Sequence, residues 1–444
     1  MKSRSLLDLT PRIRPELRIG RPLRRGAAEV HLIRDPDGGR QLEVGPKEHF
    51  VITRLDGTRT LAEVGEQYAA HFRARLGEPQ WQQLLGLLYA RGLIEGAPRP
   101  VPAVTAEQNA ERHAEQNAER HAGQYAERHA KEPAEQYAKE PAGQGSSGLL
   151  AGRVRMVADA PALLERLHRA TGFARRPAFL VPLLALVVAL PVAVAAEFGT
   201  LADETATLAR NPVALLAVGV LLWFSLALHE LAHGLVAHAF GGRVGEIGLR
   251  WRLPVTYLYC EVEDVRFFPR RRQQVATAAA GAVANLVFLL PFWPARLLLP
   301  EHAQARPFLG ALLLLGTAVA FGNLVPLPPL DGYKALGYAL DTLQLATGSR
   351  RFALVLARAA LRRDGARTDL LRYPPRLRLA YGGYALGCAA LAAAAPTAAG
   401  LLLADRYGPW AGALPALAVA ALLLLWALGR AHRGRRGESG GPRR

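Results

Sequence analysis

The sequence predicts a mostly α-helical protein: a polytopic membrane bundle of about six spans, preceded by a small winged-helix-like α+β domain in the cytosol. Three observations predict it. Six apolar segments, at 178–196, 212–240, 275–299, 308–326, 379–404 and 409–429, are each long enough, or nearly so, to cross a bilayer core. The segments between them alternate in charge, with arginine concentrated in 241–274, in 332–378 and in the closing GRAHRGRRGESGGPRR. The first 97 residues carry no such apolar run; they show short strand patterns and three helical patterns.

The totals agree with this division. The 444 residues are 50% hydrophobic yet carry a formal net charge of +18. Both hold at once if apolar residues are gathered into blocks and basic residues flank them. With membrane spans present, the arginine excess reads as the positive-inside bias and argues against nucleic acid as the partner. That bias places both termini in the cytoplasm, and an even number of spans agrees. The two cysteines, Cys260 and Cys388, exclude a disulfide framework and a cysteine zinc finger. The opening MKSRSLLDLTPRIRPELRIG is basic but lacks the apolar core of a secretory signal.

In chain order, EVHLIRDPDGGRQLEVG (29–45) reads as a hairpin around a DPDGG turn, followed by helical patterns at 46–57, 60–72 and 81–96. Together these make a first domain, 1–97. Residues 98–147 are a low-complexity linker in which AEQNAERH occurs at 106–113 and 114–121 and then decays. A period of eight advances about 80° per repeat on a helix, so no fixed apolar seam forms. His113, His121 and His129 stand about 12 Å apart along a helix, too far to share one ion. The linker reads as a polar spacer. Residues 148–176 are basic and amphipathic and suit the membrane surface. The spans occupy 177–430, and 431–444 is a basic tail.

Chemistry enters in the second span, where HELAHG (229–234) interrupts an apolar run. His229 and His233 are four apart and share a helix face, so both imidazoles reach one zinc ion while Glu230 faces its water. This is the H-E-x-x-H arrangement of zinc hydrolases, in which the glutamate moves the proton. Ionisable groups in lipid are costly and usually functional. His238, nine residues after His229, points to the opposite side and reads as an interfacial residue. A third ligand must come from elsewhere at similar depth. The candidate is Asp331 in FGNLVPLPPLDGYKAL (321–336), where Pro326, Pro328 and Pro329 break the fourth span and Gly332 permits a turn. Standing alone, Asp331 would read as a helix cap just outside the membrane.

HELAH inside a span, with N-x-x-P-x-P-x-LDG about a hundred residues later, resembles the site-2-protease-type intramembrane metalloproteases, the M50 peptidases. The resemblance covers roughly 175–340. It implies Zn2+ as cofactor, His229, His233 and Asp331 as its ligands, and Glu230 as catalytic acid and base. It implies that Asn323 orients substrate or stabilises the oxyanion. Gly281-Ala-Val-Ala-Asn285 resembles the family's glycine–asparagine motif without its usual proline, so Asn285 serves either substrate or helix packing. The loop 241–274 is too short for an inserted PDZ module. It reads as strands, either an edge that holds substrate or an ordinary structured loop. Glu261, Glu263 and Asp264 read as solvated loop charges.

LEVGPKEHFVITRLDGTRTLAEVG…LLGLLYARGLIEG looks like a PqqD-like peptide-recognition domain. The other reading is a generic winged helix whose Arg12, Arg14, Arg18, Arg21, Arg24 and Arg25 suit phosphate or anionic lipid headgroups. Both resemblances together match the bacterial group named "putative peptide zinc metalloprotease". They imply a multi-pass protein of a bacterial-type cytoplasmic membrane that cleaves a peptide or membrane-protein substrate, as in peptide maturation. The alternative is a non-proteolytic membrane protein that binds or exports a peptide, or confers immunity to one.

Overall fold

The computed structural model describes residues 5–35, 41–96, 151–252, 255–361 and 366–420. The expected linker, the basic tail and the end of the sixth expected span lie outside the described residues.

The first domain is built around one long strand. β3 (Ala28–Arg34) pairs antiparallel with β1 (Arg18–Ile19), β2 (Leu23–Arg25) and β4 (Gln41–Val44). Its register with β4, Arg34 opposite Gln41, sets up the expected hairpin; the turn itself lies outside the described residues. Helices α1 (Pro46–Ile52), α2 (Leu61–Phe72) and α3 (Glu78–Ala90) cover one face. Ile33, Leu42 and Val44 from the sheet meet Val51, Leu61, Val64, Trp81 and Leu88 in a closed apolar core. The start of α2 is fixed by a capping box between Thr60 and Glu63. The LDG-x-RT turn before it is an Asx turn. An Asp56 carboxylate oxygen accepts from the Thr58 amide at 2.9 Å, the Thr58 hydroxyl at 2.7 Å and the Arg59 amide at 3.2 Å. Those bonds, chiefly the Thr58 hydroxyl, hold the Asp56 carboxyl down to about 2.

Residues 148–176, expected as one amphipathic surface segment, divide in their described part into a strand, an α-helix and a short 3-10 turn at Gly172–Arg175. β5 (Ala151–Arg155) is a strand, and α4 (Ala160–Ala170) is a helix that buries Ala160 and Leu164 against protein. The strand was illegible because its order comes from its partner. β5 pairs with β6 (Val244–Arg252), which pairs in turn with β7 (Val255–Val262), an antiparallel sheet ordered β5-β6-β7.

Among the described residues, five helices are long and apolar enough to cross a membrane. They are α5 (Pro177–Ala196), α7 (Pro212–Ala239), α8 continued by α9 (Arg271–Leu289, Phe292–Leu298), α10 (Ala305–Leu324) and α14 (Pro375–Tyr407). The sixth expected span is described only to residue 420, and its described part, Pro409–Ala420, is an apolar helix. Between α5 and α7 runs α6 (Phe198–Leu208), a helix lying against α10. Here Arg296 of α9, fully buried, donates to Glu197 at 2.8 Å and to both oxygens of Glu204 at 2.8 and 3.0 Å. A guanidinium at this depth persists because both carboxylates satisfy it. After α10 the chain turns through its prolines into α11 (Asp331–Ala339).

The described residues from Leu343 onward form a compact unit of their own. This unit holds α12 (Leu345–Ala360), α13 (Ala366–Leu371), α14 and α15 (Pro409–Gly412), with the Tyr373 ring edge to face against both Phe352 and Tyr381.

Candidate metal centre

Helix α7 buries a stripe, Val218, Ser225, His229, His233 and Ala237, at spacings of seven and four, and beside it Gly234. The stripe faces α8, whose buried residues include Thr277, Gly281 and Asn285, also four apart. Small residues on α8 let the two backbones approach. Gly281 matters most: a Cβ there would stand 2.4 Å from the His229 ring. Only glycine leaves room for the imidazole to lie against α8.

The third contributor arrives from α11. The fourth span ends at Leu324, and the segment 325–330, with a cis bond between Pro328 and Pro329, leads to Asp331 in the first turn of α11. Gly332 was expected to supply a turn conformation. Instead it permits close approach: a Cβ there would fall 1.9 Å from the Leu324 carbonyl oxygen. The start of α11 is thus pressed onto the end of α10, which carries Asp331 inward.

His229, His233 and Asp331, far apart in sequence, converge. His229 Nε2 and His233 Nε2 lie 2.8 and 3.0 Å from Asp331 Oδ2, and 3.1 Å from each other. All three residues are buried. Among the described residues they form one potential metal-holding group, with donor atoms within 4.8 Å of one another. Ligand atoms of a tetrahedral zinc ion with bonds of about 2.0–2.1 Å stand about 3.3 Å apart. Two imidazole nitrogens and a carboxylate oxygen 2.8–3.1 Å apart come close to that spacing, so these residues fit such an ion. Asp331 Oδ1, turned away from the histidines, accepts from Lys334 Nζ at 2.8 Å.

The outer partners are equally specific. His233 Nδ1 is 2.7 Å from the Thr277 carbonyl oxygen, and His229 Nδ1 is 3.1 Å from the Asn285 amide. The Ser225 hydroxyl donates to Asn285 Oδ1 at 3.1 Å. Glu230, half-buried on α7, feels the charges of His229, His233, Asp331 and Lys334. Cys260 of β7 packs on Gly234 of α7, which sets the hairpin beside this part of the helix. Its thiol is pushed up to about 12, mainly by burial and then by the Glu230 charge, so it is a poor nucleophile.

The remaining candidates fall as follows. Asn323 is half-buried on the last turn of α10. The cluster's hydrogen bonds reach Asn285 and not Asn323. His238 lies apart, 2.9 Å from Glu165 and against the His168 ring. Ser225, Thr277 and Lys334 escaped sequence reading. A serine four residues before His229 in an apolar span was the available signal for the first; the second acts through its backbone, which no side-chain pattern reveals.

One expectation is overturned. Asp264 and Glu263 are not solvated loop charges. The Asp264 side chain is 1% exposed and pairs with Arg18 at 2.8 Å and Arg34 at 3.0 Å, and Arg34 also binds Glu263. Asp341, beyond α11, pairs with Arg21 at 3.1 Å and with Arg271. Arg24 and Arg25, also considered for anionic ligands, pair with Glu29 and Glu43. Arg18, Arg21 and Arg34 thus meet acidic partners far along the chain, and Arg24 and Arg25 meet partners within the first domain.

Comparison with known proteins gives one informative relative. The chain is 31% identical over 152 residues to "Putative zinc metalloprotease YwhC" of Bacillus subtilis (strain 168), a match covering 26% of this chain and 66% of that protein. The chain therefore matches just under two thirds of that relative's length. No family model matches the chain, and no solved structure matches significantly. The similarity supports a metalloprotease relationship, and the His–His–Asp cluster is compatible with zinc.

Proposed function

We propose that the protein is an intramembrane zinc endopeptidase of the site-2-protease (M50) type. The observation that carries this reading is the convergence of His229 Nε2, His233 Nε2 and Asp331 Oδ2 beside Glu230. These three residues would hold the zinc. When bound, the ion lowers the pKa of its water and polarises the scissile carbonyl. Glu230 accepts the proton from the attacking water and returns it to the leaving amine. Lys334 keeps Asp331 Oδ1 engaged, so that Oδ2 stays turned to the histidines.

A helical substrate hides its peptide bonds and must be extended before cleavage. β5 covers the edge of β6, which leaves β7 as the edge of its sheet on the side of α7. An extended peptide adding to β7 would lie beside HELAH. The first domain recruits the substrate, a membrane protein or a ribosomally made peptide, in the manner of PqqD-like domains. The charge pattern orients the bundle with both termini in the cytoplasm of a bacterial-type cell and the site near the cytoplasmic leaflet.

Glu230→Gln tests the mechanism. The variant should keep its zinc and lose cleavage by about 10²–10⁴-fold. Cleavage at the wild-type rate would remove Glu230 from the reaction.

A further inference from the structure

We propose that Asn285, backed by Ser225, is a positioning residue that sets the ring tautomer of His229. The inference rests on the zinc reading above and assigns Asn285 neither to substrate nor to simple helix packing.

His229 has two ring nitrogens with separate tasks. Nε2 faces the ligand set, 2.8 Å from Asp331 Oδ2. Nδ1 faces the other way, 3.1 Å from the Asn285 side-chain amide, whose other atom is 3.1 Å from Ser225 Oγ. Asn285 is 2% exposed and Ser225 5%, so water does not complete this chain. A neutral imidazole carries one N–H. To offer a lone pair at Nε2 it must carry the hydrogen on Nδ1, and a buried N–H needs an acceptor.

His233 meets this demand in a fixed way. Its Nδ1 faces the Thr277 carbonyl at 2.7 Å, a group that only accepts, so its hydrogen is held at Nδ1 and its lone pair at Nε2. His229 meets an adaptable group. With Asn285 Nδ2 toward the ring, the amide donates to Nδ1, and the ring hydrogen sits on Nε2, directed at Asp331. Turned by 180°, the amide presents Oδ1, which accepts from Nδ1–H, and Nδ2 then donates to Ser225 Oγ. The serine hydroxyl both donates and accepts, so it satisfies either orientation. The same heavy atoms thus serve His229 with its lone pair withdrawn or offered. Gly281, one turn before Asn285, lets the ring lie close enough for the contact.

The test is zinc affinity, measured by chelator competition on the full-length protein in detergent, alongside thermal melting of the zinc-free form. Asn285→Leu removes the acceptor at similar size and should weaken zinc by about 10–100-fold, the usual cost of losing such a partner, with little change in zinc-free melting. Asn285→Asp supplies an acceptor and no donor, and should hold zinc within a few fold of wild type. A packing role orders them oppositely, since leucine suits an apolar interface and a buried carboxylate does not. Ser225→Ala should give a loss smaller than Asn285→Leu and decides the matter if the aspartate variant fails to fold. Wild-type affinity in both Asn285→Leu and Ser225→Ala overturns the proposal, as does equal loss in folded Asn285→Leu and Asn285→Asp. A wild type that binds no zinc fails the underlying reading instead.

Discussion

At the scale of single residues, the site depends on atoms missing as much as on atoms present. Gly281 is the clearest case, because its hydrogen occupies the place where a methyl group would stand 2.4 Å from the His229 ring. Gly281→Ala should push the imidazole away from Asn285 and Asp331 and weaken zinc by at least about tenfold, read by metal analysis of the folded variant. Unchanged zinc would mean that the ring has room the geometry denies it. His229, Glu230 and His233 were legible because their spacing on a helix is itself the chemical requirement. Asp331 was legible beside them, through the prolines that precede it. The outer partners were much less so: Ser225 is an unremarked hydroxyl in an apolar run, and Gly281 acts by what it lacks.

Elements with their own periodicity were also readable from sequence. The β3–β4 pairing, the helices that follow it, five of the six expected apolar spans and the 244–262 hairpin follow from alternation, helical spacing and long apolar runs. Elements ordered by their neighbours were not. β5 is a strand because β6 offers it an edge, and α6 is a helix lying against α10. The Asp56 turn between α1 and α2 carries a pH signature. Its carboxyl falls from 3.8 to about 2 on folding, so its contribution to stability is full above about pH 4 and is lost as pH falls through 2. Amide exchange over residues 56–60 should accelerate as pH falls through that window, beyond the intrinsic trend. Asp56→Ala should already exchange fast at pH 5 and show no such step. A step that survives in the variant would place the titrating group elsewhere.

On the scale of the whole molecule, the first domain and the membrane-embedded part up to residue 342 make one compact unit. An ionic clasp joins them. Arg18 and Arg34 grip Asp264 just beyond β7, Arg21 grips Asp341 just beyond α11, and nearby the Arg24 amide donates to the Asp341 carbonyl while the Arg24 carbonyl accepts from the Thr342 hydroxyl. The clasp therefore touches both the hairpin and the helix that bears Asp331. Sequence could not show it, since Arg18 and Asp264 are 246 residues apart and neither carries a local pattern. Asp264 adopts a left-handed backbone at φ 68°, which asparagine tolerates, so Asp264→Asn removes charge without backbone strain. Breaking a buried ion pair costs about 3–5 kcal/mol. The variant should show faster amide exchange in β1 and β3 and in the residues after β7. Exchange equal to wild type at all three places would deny the clasp a structural role.

On the reading proposed above, two distant motifs make one zinc site, and the zinc content per chain reports on it. Elemental analysis of the detergent-purified wild type should give about one zinc, and Asp331→Ala, folded but short of its third ligand, should lose it or hold it weakly. A folded wild type that stays metal-free when offered zinc, or an Asp331→Ala variant that holds zinc as firmly as the wild type, would contradict the account.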